Sequence, residues 1–374
     1  MIKPLAGLTV IEIGQALAAP LAGVILADMG ADVIKVEKPD GGDDARSWGP
    51  PFHGATSLYF QSQNRNKRSI TLDIHDPADV AALHRLAEGA DILIQNLRPG
   101  VVDKAGIGPE AMLARHPRLI YCSIWAFGYQ GPMRMDPGFD PLLQAYAGMM
   151  SVTGQADGPP TFCGTSINDK ATGLFCVVGA LAALRHRDLT GKGCLVDTSL
   201  LETAAFWVEG HVNSYLATGQ VPQRHGTGAA VITPYQLFET ADTPLVLAAG
   251  NDRLWARCAG VLGHGDWATD PRFATGPQRN AHKAELVGMI AAILLTRPRA
   301  AWLEAFAAVG VPAAPVNDIG ELAATAQFKA VDLVQTYPDG LTMVGLPVSF
   351  DRERPWAEHG APGLGEHNGE ILGR

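Results

Sequence analysis

The sequence predicts a doubly wound, Rossmann-like α/β domain joined to a smaller α+β domain. Short apolar strand patterns alternate with helical ones through the first two hundred residues, and the composition changes after Thr218. The length of 374 residues also exceeds what one ordinary core organises. Hydrophobic residues make up 47% and charged residues 18%, a globular composition. A net charge of −9 weighs against nucleic-acid and anionic-membrane partners, while leaving room for a local basic pocket that takes a small anion.

Leu8–Ile13 is a short apolar strand, and Pro20 opens an amphipathic helix to about Met29. Asp32–Glu37 is the next strand, completing a βαβ unit. The pattern repeats at Ser69–Asp73, Asp91–Gln95, Leu119–Ile124 and Cys194–Ser199, with helices such as Pro77–Ala87 between strands. In such sheets ligands bind beyond the carboxyl ends of the strands, which makes the loops after Ile13, Glu37, Asp73, Gln95 and Ile124 the candidate site. A dinucleotide is a poor fit there: the first turn, Gly14-Gln15-Ala16-Leu17-Ala18-Ala19, has one glycine where the NAD fingerprint needs three. Thr190-Gly191-Lys192-Gly193 lacks P-loop spacing and reads as a surface turn.

Leu201–Ala217 is a largely apolar helix, and Thr218–Thr233, rich in Gly, Pro, Gln and Thr, reads as a linker. Tyr235–Glu239 and Leu245–Ala249 then form a hairpin, followed by helices near Arg253–Leu262, Ala281–Leu295 and Arg299–Ala308. A last hairpin turns across Tyr337-Pro338-Asp339-Gly340. The resulting division is a large domain over 1–200, a linker over 201–225, a small domain over 226–318 and a C-terminal segment, 319–374, returning to the large domain. Five widely spaced cysteines carry no CxxC or Cys/His metal pattern, so no metal is expected and the thiols read as reduced. The N-terminus lacks a signal peptide's apolar region and no apolar run approaches the ~18 residues of a membrane span, so the expected compartment is the cytoplasm.

One carboxylate stands out. Leu174–Leu184 is an uncharged helical run, and Ser166 or Asn168 can serve as its N-cap, which puts Asp169 in the first turn, where free N–H groups favour an ionised carboxylate. Local sequence alone makes it a helix cap, and the rest of the chain makes it a nucleophile.

Pro4-Leu5-Ala6-Gly7-Leu8-Thr9-Val10-Ile11-Glu12, Gly30-Ala31-Asp32-Val33-Ile34-Lys35-Val36-Glu37 and Asn66-Lys67-Arg68-Ser69-Ile70 resemble blocks of the class III CoA-transferases, the family of formyl-CoA transferase and carnitine CoA-transferase. The match continues through Gln95–Gly100, Ser151–Gly154, Asp169 with Gly173, Thr190–Gly193, Asp270–Phe273 and Gly365–His367, in the family's order and over almost the whole chain. The resemblance implies that Asp169 attacks an acyl-CoA carbonyl, giving a mixed anhydride and then an aspartyl-CoA thioester, so that CoA passes from a donor acyl-CoA to an acceptor carboxylic acid. It also implies coenzyme A contacts at Leu17, Ala18, Lys38, Leu72, Asp73, Ile74, His75, Asn96, Leu97, Arg98, Lys104, Gly138, Phe139 and Asp140. Of these, Lys38, Arg98 and Lys104 suit the phosphates. An interlocked homodimer is a further implication.

Two departures from the family matter. Oxalate-handling members carry Gln at the position of Leu17 and a glycine run where this chain has His225-Gly226-Thr227-Gly228-Ala229-Ala230, which weighs against formyl or oxalyl substrates. The 2-methylacyl-CoA racemases of the same superfamily carry a Gly-His-Asp block, and Gly138-Phe139-Asp140 has no proton carrier at its centre. A racemase, and an acyl-CoA-binding protein without turnover, are the alternatives. Leu17, Phe139 and the Met149-Met150 pair hint at a larger or less polar acid. His211 and His225 read as core or loop residues, and His367 as structural.

Overall fold

A computed structural model describes residues 2–374. Two compact units divide the chain: Met1–Met149 with Phe162–Gly219 and Lys329–Arg374 form the first, and Met150–Thr161 with Gln220–Phe328 the second. The first unit therefore runs past residue 200 to Gly219, and residues 150–161 group with the second.

The first unit is built on β1 (Thr9–Ile13), α1 (Ala18–Asp28), β2 (Asp32–Glu37), α2 (Leu58–Asn64), β3 (Lys67–Thr71), α3 (Pro77–Ala87), β4 (Ile92–Gln95), β5 (Ile120–Trp125), α4 (Asp140–Tyr146), α5 (Ile167–Thr190), β6 (Leu195–Ser199), α6 (Leu200–Trp207) and α7 (Glu209–Thr218). The six strands form a parallel sheet in the order β3-β2-β1-β4-β5-β6. That is the 3-2-1-4-5-6 order of a doubly wound sheet, whose direction of progression reverses between β1 and β4. Alternation along the strands serves both faces. Val10, Val33, Ile92, Ile94 and Cys122 pack towards α1 and α5, while Ile11, Ile34, Val36, Leu93 and Tyr121 form the core under α3. Helix α1 crosses α5 closely because Gly173 lacks a side chain; a Cβ there would lie 2.7 Å from the Ala18 carbonyl oxygen.

Several expected boundaries shift for physical reasons. Strand β3 begins at Lys67, two residues before the expected start, because Lys67 is a fully buried ion-pair member and not a surface lysine. The expected single helix over Leu201–Ala217 breaks at Val208, and the expected Ala281–Leu295 helix is preceded by a separate turn over Gly276–Ala281. Helix α5 is 24 residues, with the length and hydropathy of a bilayer span, because it continues through the charges that bound the eleven-residue apolar run. Its inner side packs on α1, β5 and β6, and Arg187 near its end pairs with Asp91 at 2.8 Å.

The C-terminal segment covers the sheet edge at β3. His367 donates its backbone N–H to Ser69 O at 2.9 Å, and Asn368 Oδ1 accepts from Thr71 N–H at 2.8 Å. Those bonds satisfy groups that an exposed edge strand would offer to another chain. The second unit holds a three-stranded antiparallel sheet of β7 (Tyr235–Phe238), β8 (Leu245–Ala248) and β9 (Ala313–Pro315), with a core centred on Trp255, Phe273, Trp302 and Phe306.

Candidate active site

A cleft of about 600 Å³ opens at the carboxyl ends of the strands. Every strand end of the sheet reaches it: Gly14–Ala18 follow β1, Lys38, Asp43, Asp44 and Trp48 follow β2, Leu72–His75 follow β3, Asn96–Pro99 follow β4, Ala126 and Asp136–Phe139 follow β5, and Leu200 follows β6. Asp169, in the first turn of α5, lines the same space.

The turn after β1 is fixed from below by a buried charge network. Glu12 accepts from Lys35 Nζ at 2.9 Å and from Lys67 Nζ at 2.6 Å, and all three side chains are fully buried. Gly23 makes room for this carboxylate, since a Cβ there would lie 1.9 Å from Glu12 Oε2. Lys35 Nζ also reaches the Gly14 carbonyl at 2.9 Å and Asp43 Oδ2 at 3.0 Å. Asp43 Oδ1 in turn accepts the N–H of Ala16 at 3.1 Å and of Ala45 at 3.0 Å. Asn96 grips the backbone of Gln15 on both sides, at 2.9 Å each. These contacts hold Ala16 at a φ of 65°, a left-handed conformation that a residue with a Cβ rarely adopts. Burial works against the charge on Lys35, but Glu12 and Asp43 outweigh it and hold its pKa above the ordinary value. Burial also opposes ionisation of Asp43, and Lys35 with the two N–H groups reverses that effect.

Asp169 has the opposite surroundings. Burial, and then the negative charge of Asp140, push its pKa up to about 7. Ser166 occupies the N-cap position of α5 but its side chain makes no capping bond. The capping oxygen comes from Asp140 Oδ2, which accepts from the N–H of Asn168 at 2.6 Å and of Asp169 at 3.1 Å. Ser166 instead hydrogen-bonds the Tyr59 phenol, whose pKa burial and the nearby Asp169 carboxylate raise to about 12. Tyr59 packs against Trp48, with ring centroids 5.4 Å apart.

Most sequence-derived contacts fall in one place: Leu17, Ala18, Lys38, Leu72, Asp73, Ile74, His75, Asn96, Leu97, Arg98, Gly138, Phe139 and Asp169 all line the cleft. Two do not. Lys104 is exposed on a short helix outside the cleft lining. Asp140 is buried, with its carboxylate committed to the start of α5 and to Gln144, so its place is behind the cleft wall. Asp43, Trp48 and Tyr59 went unrecognised in the sequence. The strand-end rule pointed to the loop carrying Asp43 and Trp48, but Tyr59 lies on α2 with no local signal. Lys38, beside the exposed Asp44 at 2.7 Å, Arg98 and His75 supply cationic or donor groups, and Leu17, Val36, Leu97 and Ile124 supply apolar wall; such a donor set fits a phosphorylated ligand with an apolar arm.

The model of "CoA-transferase family III" matches residues 5–368. The chain belongs to that family. It is a CoA-transferase, carrying CoA from an acyl-CoA to a carboxylic acid. It is 39% identical to the succinate–glutarate CoA-transferase of Agrobacterium fabrum, over 99% of this chain and 95% of that protein. Identity to the acetyl-CoA:oxalate CoA-transferase of Acetobacter aceti is 37%, over 98% and 95%, and to the mouse succinyl-CoA:glutarate CoA-transferase 36%, over 99% and 86%. A crystal structure of a CAIB/BAIF family protein from Brucella suis superposes with a TM-score of 0.89 at 37% identity, covering 100% of this chain and 99% of that one.

Proposed function

We propose that this transferase works through Asp169 as nucleophile, on a short-chain dicarboxylic donor and acceptor. The observation that carries the first part is the position of Asp169: a carboxylate held near neutral pKa at the wall of a cleft whose other walls are the strand-end loops. An Asp169 oxygen bonds to the acyl carbon, the C–S bond breaks, and its electron pair leaves with CoA thiolate. The mixed anhydride keeps the activation of the acyl group. Thiolate attack on the aspartyl carbonyl then releases the donor acid, and the acceptor carboxylate and returning thiolate complete the exchange. Water must be kept from both intermediates, and the half-buried position of Asp169 serves that need.

Lys38 and Arg98 are proposed to hold CoA phosphates, with Leu72–His75 and Asn96–Leu97 around the nucleotide and Leu17, Ala18, Gly138 and Phe139 around the pantetheine and acyl group. The similarity to enzymes named for succinate, glutarate and oxalate supports a small diacid over the larger, less polar acid that Leu17 and Phe139 hinted at. An exposed apolar surface on the first unit, including Leu174, Val178, Phe206, Trp207, Tyr215 and Leu216, supports a homodimer that buries it. Five free thiols accord with a cytoplasmic site of action.

Succinyl-CoA with glutarate, oxalate or formate in deuterated buffer tests this reading. The expected result is CoA transfer that requires an acceptor and favours glutarate over formate. Acceptor-independent deuterium entry at the α-carbon, without transfer, would replace it with racemisation; acyl-CoA binding without either reaction would leave only a binding protein.

A further inference from the structure

We propose that Asp140 is a positioning residue for the transfer reaction: its carboxylate takes up the first N–H groups of α5, so that the Asp169 carboxylate stands beside a like charge, deprived of the stabilisation a helix start ordinarily provides. The inference rests on the reading of Asp169 as nucleophile.

A carboxylate in the first turn of a helix is normally stabilised by free N–H groups and the helix dipole. In α5 the N–H of Asn168 and the N–H of Asp169 itself both point to Asp140 Oδ2, at 2.6 and 3.1 Å. Asp140 cannot turn away, because Gln144 Nε2 donates to its other oxygen at 2.5 Å and Gln144 Oε1 accepts from Cys163 N–H at 2.8 Å. The charged and titratable groups around Asp169 come from several elements: Asp140 from α4, Tyr59 from α2, on which Asp43 from the loop after β2 also acts, and the exposed Lys170 adjoining it on α5. None of the described ion pairs places a cation against Asp140 or Asp169. Burial first, and Asp140 second, account for the raised pKa of Asp169.

The chemistry gives this arrangement a use. Acylation joins an Asp169 oxygen to the acyl carbon and expels CoA thiolate with the C–S electron pair, so a negative charge disappears from beside Asp140. The same relief accompanies the aspartyl-CoA thioester. Repulsion that penalises the resting carboxylate therefore favours both covalent states relative to it. A helix cap of neutral chemistry would satisfy the N–H groups and do neither.

Asp140→Asn and Asp140→Ser keep an oxygen that can accept at the helix start and remove the charge. The pH profile of succinyl-CoA:glutarate exchange and the hydroxylamine-trapped adduct are measured for both and for wild type. The wild-type acid limb is expected near pH 7, and each neutral variant should move it down by about one unit, with roughly tenfold less adduct at pH 8. A folded neutral variant whose limb stays in place overturns the proposal and leaves Asp140 a cap. If neither variant folds, Gln144→Lys, which sets a cation against the Asp140 oxygen that Gln144 bonds, decides: a limb moved down supports the proposal, and a limb left in place overturns it. Failure of the underlying reading looks different, since wild type would then carry no adduct on Asp169 at any pH.

Discussion

Two groups of buried carboxylates border the same cleft and are treated in opposite ways. Beneath the turn after β1, Glu12, Glu37 and Asp43 each meet a cation, from Lys35, Lys67 or Arg46, at 2.6 to 3.0 Å. At the start of α5, Asp140 and Asp169 meet each other and no cation among the described ion pairs. Compensated charge is directional and strong enough to hold Ala16 in a left-handed turn, so it fixes shape. Uncompensated charge raises the free energy of one ion, which is useful only where that ion is consumed.

Substitutions on either side should separate these roles. Asp169→Ala is expected to cut CoA transfer by about 10,000-fold while leaving CoA binding by calorimetry near wild type. Lys35→Met leaves Asp43 without a cation in the interior and Glu12 with Lys67 alone, and should cost about 3–5 kcal/mol in denaturant unfolding, with activity lost only as the fold is lost. Asp169→Asn should do the reverse of Lys35→Met and stabilise. The folded pKa of Asp169 is raised, so the folded state holds its proton between about pH 4 and about pH 7 and wild-type stability falls across that window. The Asn variant should accordingly gain about 2 kcal/mol at pH 8, a gain absent below pH 4. The smallest effect is at the cleft's outer cations: Arg98→Ala should raise the acyl-CoA KM by roughly fivefold with kcat unchanged, and Lys38→Ala by less, since Asp44 shares its charge. Both penalties should shrink at high salt.

The contrast also marks what the sequence reveals. Strand periodicity and the strand-end rule located five of the six strand-end loops around the cleft, because alternation and topology are local or general properties, and missed the turn after β6 that carries Leu200. The position of Asp169 in the first turn of a long helix was legible from the apolar run that follows it. The burial of Lys67 was not, since a lysine in Asn-Lys-Arg looks solvated until Glu12, fifty-five positions away, is brought beneath it. The role of Asp140 depends on a similar distant meeting: the resemblance placed it among the coenzyme A contacts, and the chain turns into α4 there and aims the carboxylate at a helix start twenty-eight residues on. Tyr59 depends on the same kind of distant meeting with Ser166.

The most direct test is the intact mass of the protein after brief incubation with succinyl-CoA, with hydroxylamine trapping, for wild type and Asp169→Ala. A single acyl or CoA adduct that peptide mapping places on Asp169, absent from the variant, is the predicted result. An adduct on another residue, or rapid transfer by the variant, would contradict the account.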